Sequence, residues 1–216
     1  IIRMDAESTR GKDAHKRLLE EFDAADCAVL LGTQMIAKGL DFPEVTLVGV
    51  VNADYALKMP DFRAQERAYD LLEQVSGRAG RGDRPGKVVI QTYLPDNPVI
   101  RAVARHDRAL FTDYDLAQRK DACYPPFVRL VNVVVRGRDE RQARTCAERL
   151  AASVRDAVSD VSRAFVEPLE EGGLSLADAT RSPVVLGPTT CVVERAKDRY
   201  RFHFMVKCPV GYHVSR

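Results

Sequence analysis

Two phosphate-gripping signatures are missing from this chain of 216 residues: it has no G-x-x-x-x-G-K-[ST] loop and no D-E-x-H box. For these residues that excludes the backbone cradle that holds a nucleotide's phosphates and the acid that holds its magnesium. An excess of charge is lacking too. Lys and Arg number 33 against 31 Asp and Glu, a net charge of +2, so any basic surface must be local. The cysteines Cys27, Cys123, Cys146, Cys191 and Cys208 are odd in number and include no C-x-x-C pair. This argues against a zinc knuckle and a disulfide framework, fits a reducing compartment, and leads us to expect no metal in these residues. No apolar stretch approaches the roughly 20 residues needed to span a bilayer, and the opening IIRMDAESTR lacks the order of a signal peptide. A cytoplasmic chain without a membrane partner is expected.

What is present reads as an ordinary globular composition, 45% hydrophobic and 30% charged, with room for two domains of about a hundred residues each. Ile1 to Met4 looks like a strand already under way, as if cut from a larger chain. Ala14, Leu18, Leu19 and Phe22 recur at helical spacing, so the pattern predicts a helix over 11–22. The runs CAVLL (27–31) and VTLVGVV (45–51) suit parallel strands buried on both faces. A helix over 62–75, a strand at 87–93 and one long helix over 98–120 continue the alternation. The rhythm predicts an α/β fold with an open, mostly parallel sheet.

Tyr124-Pro125-Pro126 ends the helical pattern, because neither proline can donate an amide hydrogen. The boundary is placed there, giving domains 1–121 and 122–216. Beyond it come a strand at 127–135, a helix with the apolar stripe Ala143, Ala147, Leu150, Ala151, Val154 and Val158, and two strands at 184–194 and 200–207 joined as a hairpin. This β-α-β-β order is the first part of a smaller, incomplete α+β ferredoxin-like domain. The stretch 168–183 (PLEEGGLSLADATRSP) reads as a loop.

Gln74-Val75-Ser76-Gly77-Arg78-Ala79-Gly80-Arg81-Gly82 carries the strongest chemistry. It lies where a helix gives way to glycines. Two arginines three residues apart can converge on one phosphate, since guanidinium donates in a planar fork and stays charged. By itself the stretch equally describes a solvated basic loop or a segment that binds RNA loosely. Thr33-Gln34-Met35-Ile36-Ala37-Lys38-Gly39-Leu40-Asp41-Phe42-Pro43 follows a strand directly, at the edge where open α/β sheets bind ligands. Thr33 can donate to a phosphate, Gly39 permits a tight turn and Asp41 can accept from a ribose hydroxyl. An ordinary helix cap satisfies that stretch as well.

In this order the two stretches resemble motifs V and VI of superfamily 2 helicases, whose lobes are RecA-like. Asn52-Ala53-Asp54, Pro60-Asp61-Phe62-Arg63-Ala64, Glu66-Arg67 and Tyr124-Pro125-Pro126-Phe127 resemble in particular the primosomal replication-restart helicases, the PriA family. The resemblance runs from Arg3 to about Lys207. It implies a second motor lobe followed by part of a C-terminal DNA-binding domain. Arg81 is then similar to an arginine finger reaching ATP held by another lobe, Arg78 to its companion phosphate contact, and Gln74 to the residue coupling nucleotide state to lobe closure. Thr33 would face nucleic-acid phosphates, with Gly39 and Asp41 on the nucleotide side. Implied cofactors are ATP and magnesium, held mainly by the other lobe, and zinc bound by cysteines upstream of Ile1. Implied partners are branched and single-stranded DNA, primosomal proteins, single-stranded DNA-binding protein and the replicative helicase loader. The implied activity is 3′-to-5′ unwinding at stalled forks and D-loops; alone, the chain is expected not to hydrolyse ATP. Another superfamily 2 translocase, or a non-catalytic DNA- or protein-docking module, remains as an alternative.

In the second domain Arg195, Lys197, Arg199 and Arg201 flank Tyr200, joining phosphate-seeking charge to a ring on which a base can stack. A solubilising strand edge has the same composition. Arg136, Arg138, Arg141, Arg144 and Arg149 are interleaved with Asp139, Glu140 and Glu148 and read as a solvated, salt-bridged face. His15, His106, His203 and His213 are isolated from one another, which suits structural roles. His203 and Met205 alternate with Phe202, Phe204 and Val206, so His203 marks one face of a strand.

Overall fold

A computed structural model of the chain describes residues 1–5, 8, 9, 11, 13–33, 44–77, 85–165 and 182–210, with backbone only over 160–165. The chain divides into two compact units, Ile1–Thr112 and Asp113–Arg216. No helix among the described residues is long and apolar enough to cross a membrane. The stretch 168–183 lies almost wholly outside the described residues.

In the first unit β1 (Ile2–Met4) and β2 (Leu30–Gly32) pair in parallel around α1 (Ala14–Asp23). Strands β3 (Leu47–Val50) and β4 (Lys87–Ile90) also pair in parallel, with α2 (Asp54–Leu57) and α3 (Ala64–Ser76) between them. The helices provide the long crossover that parallel pairing requires. Among the described residues these are two separate two-stranded sheets rather than one open sheet.

The expectation of strands buried on both faces is corrected. Leu47 is 62% exposed and Leu31 55%, and β3 and β4 alternate exposed with half-buried positions. Two-sided burial needs helices on both faces, whereas α2, α3 and α4 pack chiefly on one another. An apolar run records the character of the side chains and says nothing of what covers them.

The long helix expected over 98–120 is two helices, α4 (Pro98–Arg105) and α5 (Arg108–Asp121). His106 turns left-handed at φ 52°, and the His106 and Asp107 amides donate back to the last carbonyls of α4. Asp107 then starts α5, its carboxylate accepting from the Leu110 amide at 2.9 Å. The break itself is a capping event that periodicity does not register.

Among the described residues of the second unit, most of α5 is followed by a three-stranded antiparallel sheet crossed by a helix. Strand β5 (Arg129–Gly137), helix α6 (Glu140–Phe165), strand β6 (Val184–Ala196) and strand β7 (Arg199–Cys208) follow in that order. Strand β7 lies between β5 and β6 and is antiparallel to both. Strands β5 and β6 therefore run parallel, connected through α6. Ala143, Ala147 and Ala151 at a spacing of four are fully buried on one side of α6, against Val131, Val133 and Val135 of β5 and Phe202, Phe204 and Val206 of β7. Small residues let the helix approach closely. A Cβ placed on Gly137 would lie 2.9 Å from the Ala143 Cβ, so the strand-to-helix junction needs glycine. The hairpin turns at Lys197 and Asp198, both with positive φ, the geometry of a type I′ turn.

Candidate nucleotide and nucleic-acid interfaces

In the first unit the candidate residues hang from the carboxyl ends of strands and the end of one helix. Thr33 follows β2 immediately and is exposed. Gln74 sits on the last turn of α3 and is exposed, on a helix whose other side is anchored by buried Ala68, Tyr69 and Leu72. The Tyr69 ring stacks flat on Phe111 with centroids 4.2 Å apart, and burial raises its hydroxyl pKa. Glu73 meets the His106 ring at 3.3 Å. These contacts fix the rotation of α3, and with it the direction in which Gln74 projects. Gly77 closes the helix by donating to the Glu73 carbonyl at 3.0 Å. Gly39, Asp41, Arg78 and Arg81 lie outside the described residues.

A polar lock at the carboxyl ends of β3 and β4 went unread in the sequence. The Asn52 amide donates to Gln91 Oε1 at 2.7 Å, and the Ala53 amide to the Gln91 carbonyl at 3.0 Å. Buried Asp54 accepts from the Thr92 hydroxyl at 2.5 Å and from the Tyr93 amide at 2.9 Å. The hydroxyl first, and the amide second, hold its carboxyl below the usual carboxylate range. The lock ties the start of α2 to the end of β4, across residues nearly forty positions apart. Asn-Ala-Asp was noticed as a family-like string, but nothing local pointed to Thr92 as the partner.

In the second unit the register divides the expected hairpin cluster. Tyr200 packs with Phe202 against Ala143 and Ala147, on the side of the sheet that α6 covers. Arg195 pairs with Tyr200 across the ladder, its guanidinium 5.2 Å from the ring centroid, and it also bonds Asp198 at 3.1 Å. Lys197 is at the turn and exposed. Arg199 and Arg201 alternate with Tyr200 and Phe202 and so belong to the opposite side. Beside Tyr200, Arg138, Arg141 and Arg144 line an open groove with Asp139 and Glu140. Arg144 meets Glu140 at 3.6 Å, and its guanidinium lies 5.1 Å from the Phe202 centroid.

The other end of that opposite side is closed. Buried Lys207 donates to the Ala122 carbonyl at 2.7 Å and lies 4.1 Å over the Tyr124 ring, and desolvation lowers its pKa. The Tyr124-Pro125-Pro126 corner is thus clamped to β7. All five cysteines are free, with Cys123, Cys191 and Cys208 buried. Among the described residues no three metal-binding side chains converge.

Residues 4–83 match the helicase conserved C-terminal domain family. Residues 120–215 match the family described as the primosomal protein N C-terminal domain. The chain is 41% identical over 207 residues to the replication restart protein PriA of Bacillus subtilis, covering 96% of this chain and 23% of that protein. It is 39% identical over 208 residues to the protein of the same name from Synechocystis, covering 96% and 22%. The Treponema pallidum counterpart is 38% identical over 209 residues, covering 97% and 28%. The chain thus spans about a quarter of the length of these curated relatives.

Proposed function

We propose that the chain belongs to the PriA family of replication restart proteins and is the second motor lobe and DNA-binding C-terminal region of an ATP-dependent DNA helicase. The observation that carries the reading is the order of the two family matches. A helicase C-terminal domain containing both motif stretches is followed by the primosomal C-terminal domain. A translocase from another branch of superfamily 2 has no reason to carry the second. Residues 4–83 are accordingly a RecA-like lobe within a mixed α/β chain. The second unit is read as ferredoxin-like on its split β-α-β, with β7 inserted between two parallel strands joined by α6.

In this reading Arg81 reaches the γ-phosphate of ATP bound by the other lobe, and Arg78 grips a neighbouring phosphate. ATP with magnesium supplies the energy of closure when bound. Gln74, held by the Tyr69–Phe111 stack through α3, reports nucleotide state to the lobe. Gly39 and Asp41 line the nucleotide side of the loop that Thr33 begins, and Thr33 faces the DNA backbone. Arg195, Lys197, Arg199, Tyr200 and Arg201 add a contact to branched or single-stranded DNA. The working protein is cytoplasmic, moves 3′ to 5′ on stalled forks and D-loops, and hands them to primosomal proteins, single-stranded DNA-binding protein and the helicase loader. Zinc belongs to cysteines elsewhere in that protein.

The test is Arg81→Ala in a full-length family protein carrying these residues. DNA-stimulated ATP turnover should fall by about 10³ to 10⁵, the range seen for supplied arginine fingers, with DNA affinity nearly unchanged. Turnover equal to the parent's removes Arg81 from the site.

A further inference from the structure

The open side of the second unit's sheet carries two arginines directly opposite each other, and we propose that it docks the phosphodiester backbone of DNA, with Arg136 and Arg201 bracketing one phosphate. The inference rests on the reading of this chain as part of a DNA-handling protein. It goes further by moving the principal contact from the hairpin tip and Tyr200 to a sheet face that includes a β5 residue.

Alternation sets the face. Val131, Val133 and Val135 of β5 and Phe202, Phe204 and Val206 of β7 turn toward α6. Asn132, Val134 and Arg136, with Arg201, His203 and Met205, turn the other way. The ladder then places Arg136 opposite Arg201, Val134 opposite His203 and Asn132 opposite Met205. Like charges directly opposite on neighbouring strands repel, and sheets ordinarily avoid the arrangement. Among the described residues no carboxylate lies within ion-pair distance of either arginine. Arg201 Nε is buried with no hydrogen-bond partner, and Arg201 Nη1 reaches only the Val193 carbonyl at 3.5 Å.

The exposed Arg136 guanidinium and the outer end of the Arg201 guanidinium, whose Nη1 turns to Val193 of β6, put two cations on one side of the sheet, and a phosphate supplies the counter-charge. The surroundings favour a backbone over a small anion. Lys207 and the Tyr124 corner close the far end of this side, so the open stretch runs toward the hairpin, where Arg199 follows Arg201 on the same side of β7. Near the middle, His203 Nδ1 is bonded to Asn132 Oδ1 at 3.0 Å. No Phe or Tyr of β5 or β7 turns to this side, so the surface recognises charge rather than stacking on bases, and binding through it should be independent of sequence.

The experiment is fluorescence anisotropy of the chain with a labelled single strand across a salt series. Arg136→Gln, Arg201→Gln and the double variant are compared with an Arg195→Gln/Lys197→Gln variant, and each is also melted without DNA. We expect the log-log salt slope to shrink by about 0.7 for each arginine removed, with affinity falling alike on every sequence. The melting temperature of Arg136→Gln should equal or exceed the parent's, since repulsion is removed. If Arg201→Gln melts early through loss of the Val193 contact, Arg136→Gln alone decides. A double variant with the parent's slope and affinity, beside an impaired Arg195→Gln/Lys197→Gln variant, overturns the face and leaves the DNA-binding reading standing. A parent chain that binds no DNA removes both. Preference for a polyglutamate peptide over DNA overturns the proposal in favour of an acidic protein partner.

Discussion

The two units place their candidate chemistry differently. In the first, the described motif residues lie where regular structure stops, Thr33 after β2 and Gln74 on the last turn of α3. In the second, the cations sit within or beside strands whose alternate residues form the core. The first arrangement separates function from stability, because loop side chains leave the packing beneath them unchanged. The second interleaves outward cations with core residues along one strand, so that moving a single residue along β7 converts an outward position into a packing position.

The largest effect expected on either side is the loss of turnover in Arg81→Ala, read beside a melting temperature that should stay close to the parent's if Arg81 serves the nucleotide rather than the packing. Next is Phe204→Ala. Phe204 is 2% exposed and packs with Ala151, Val206 and Cys208, so its truncation should cost about 3–5 kcal/mol. Urea unfolding measures the loss, and amide exchange should quicken in β5 to β7. Its neighbour His203 turns to the open side, and a comparable loss from His203→Ala would break the contrast.

The Asp54 lock gives a smaller effect with a sign. Its folded pKa is depressed by Thr92 and Tyr93. Its contribution is therefore complete above the unfolded value of about 3.9 and is lost as pH falls through the folded value. Thermal melts should show the parent losing stability below about pH 4, while Asp54→Asn starts lower at neutral pH and shows a shallower acid limb. Equal acid limbs would remove the lock. Smallest is Asp107→Ala, which deletes the cap on α5 and should cost about 1 kcal/mol, read as a modest shift in the urea midpoint. A larger loss would mean that Asp107 also holds α4 and α5 at their angle.

Most of the element order was legible in the sequence, and so was the stripe of α6, because period and turn chemistry are local; the short α2 and the break between α4 and α5 were not. The alternation that set His203 apart from Phe202 and Phe204 also assigns Arg199 and Arg201 to its side, although the five hairpin residues read naturally as one cluster. The position of Arg195 was not legible. The register shifts between Thr190 and Arg195, and a β-bulge inserts a residue without a signature that composition reveals.

The sequence by itself determined the order of the two motif stretches and the kind of face each strand and helix offers, since these depend on residue identity and spacing of a few positions. Only the tertiary structure decided the partners. Asp54 meets Thr92, Tyr69 stacks on Phe111, Lys207 caps the Ala122 carbonyl, and Arg136 stands opposite Arg201. The reason is physical: a periodic pattern states which way a side chain turns, while the residue it meets across a ladder or a core depends on register and on packing between segments tens of residues apart.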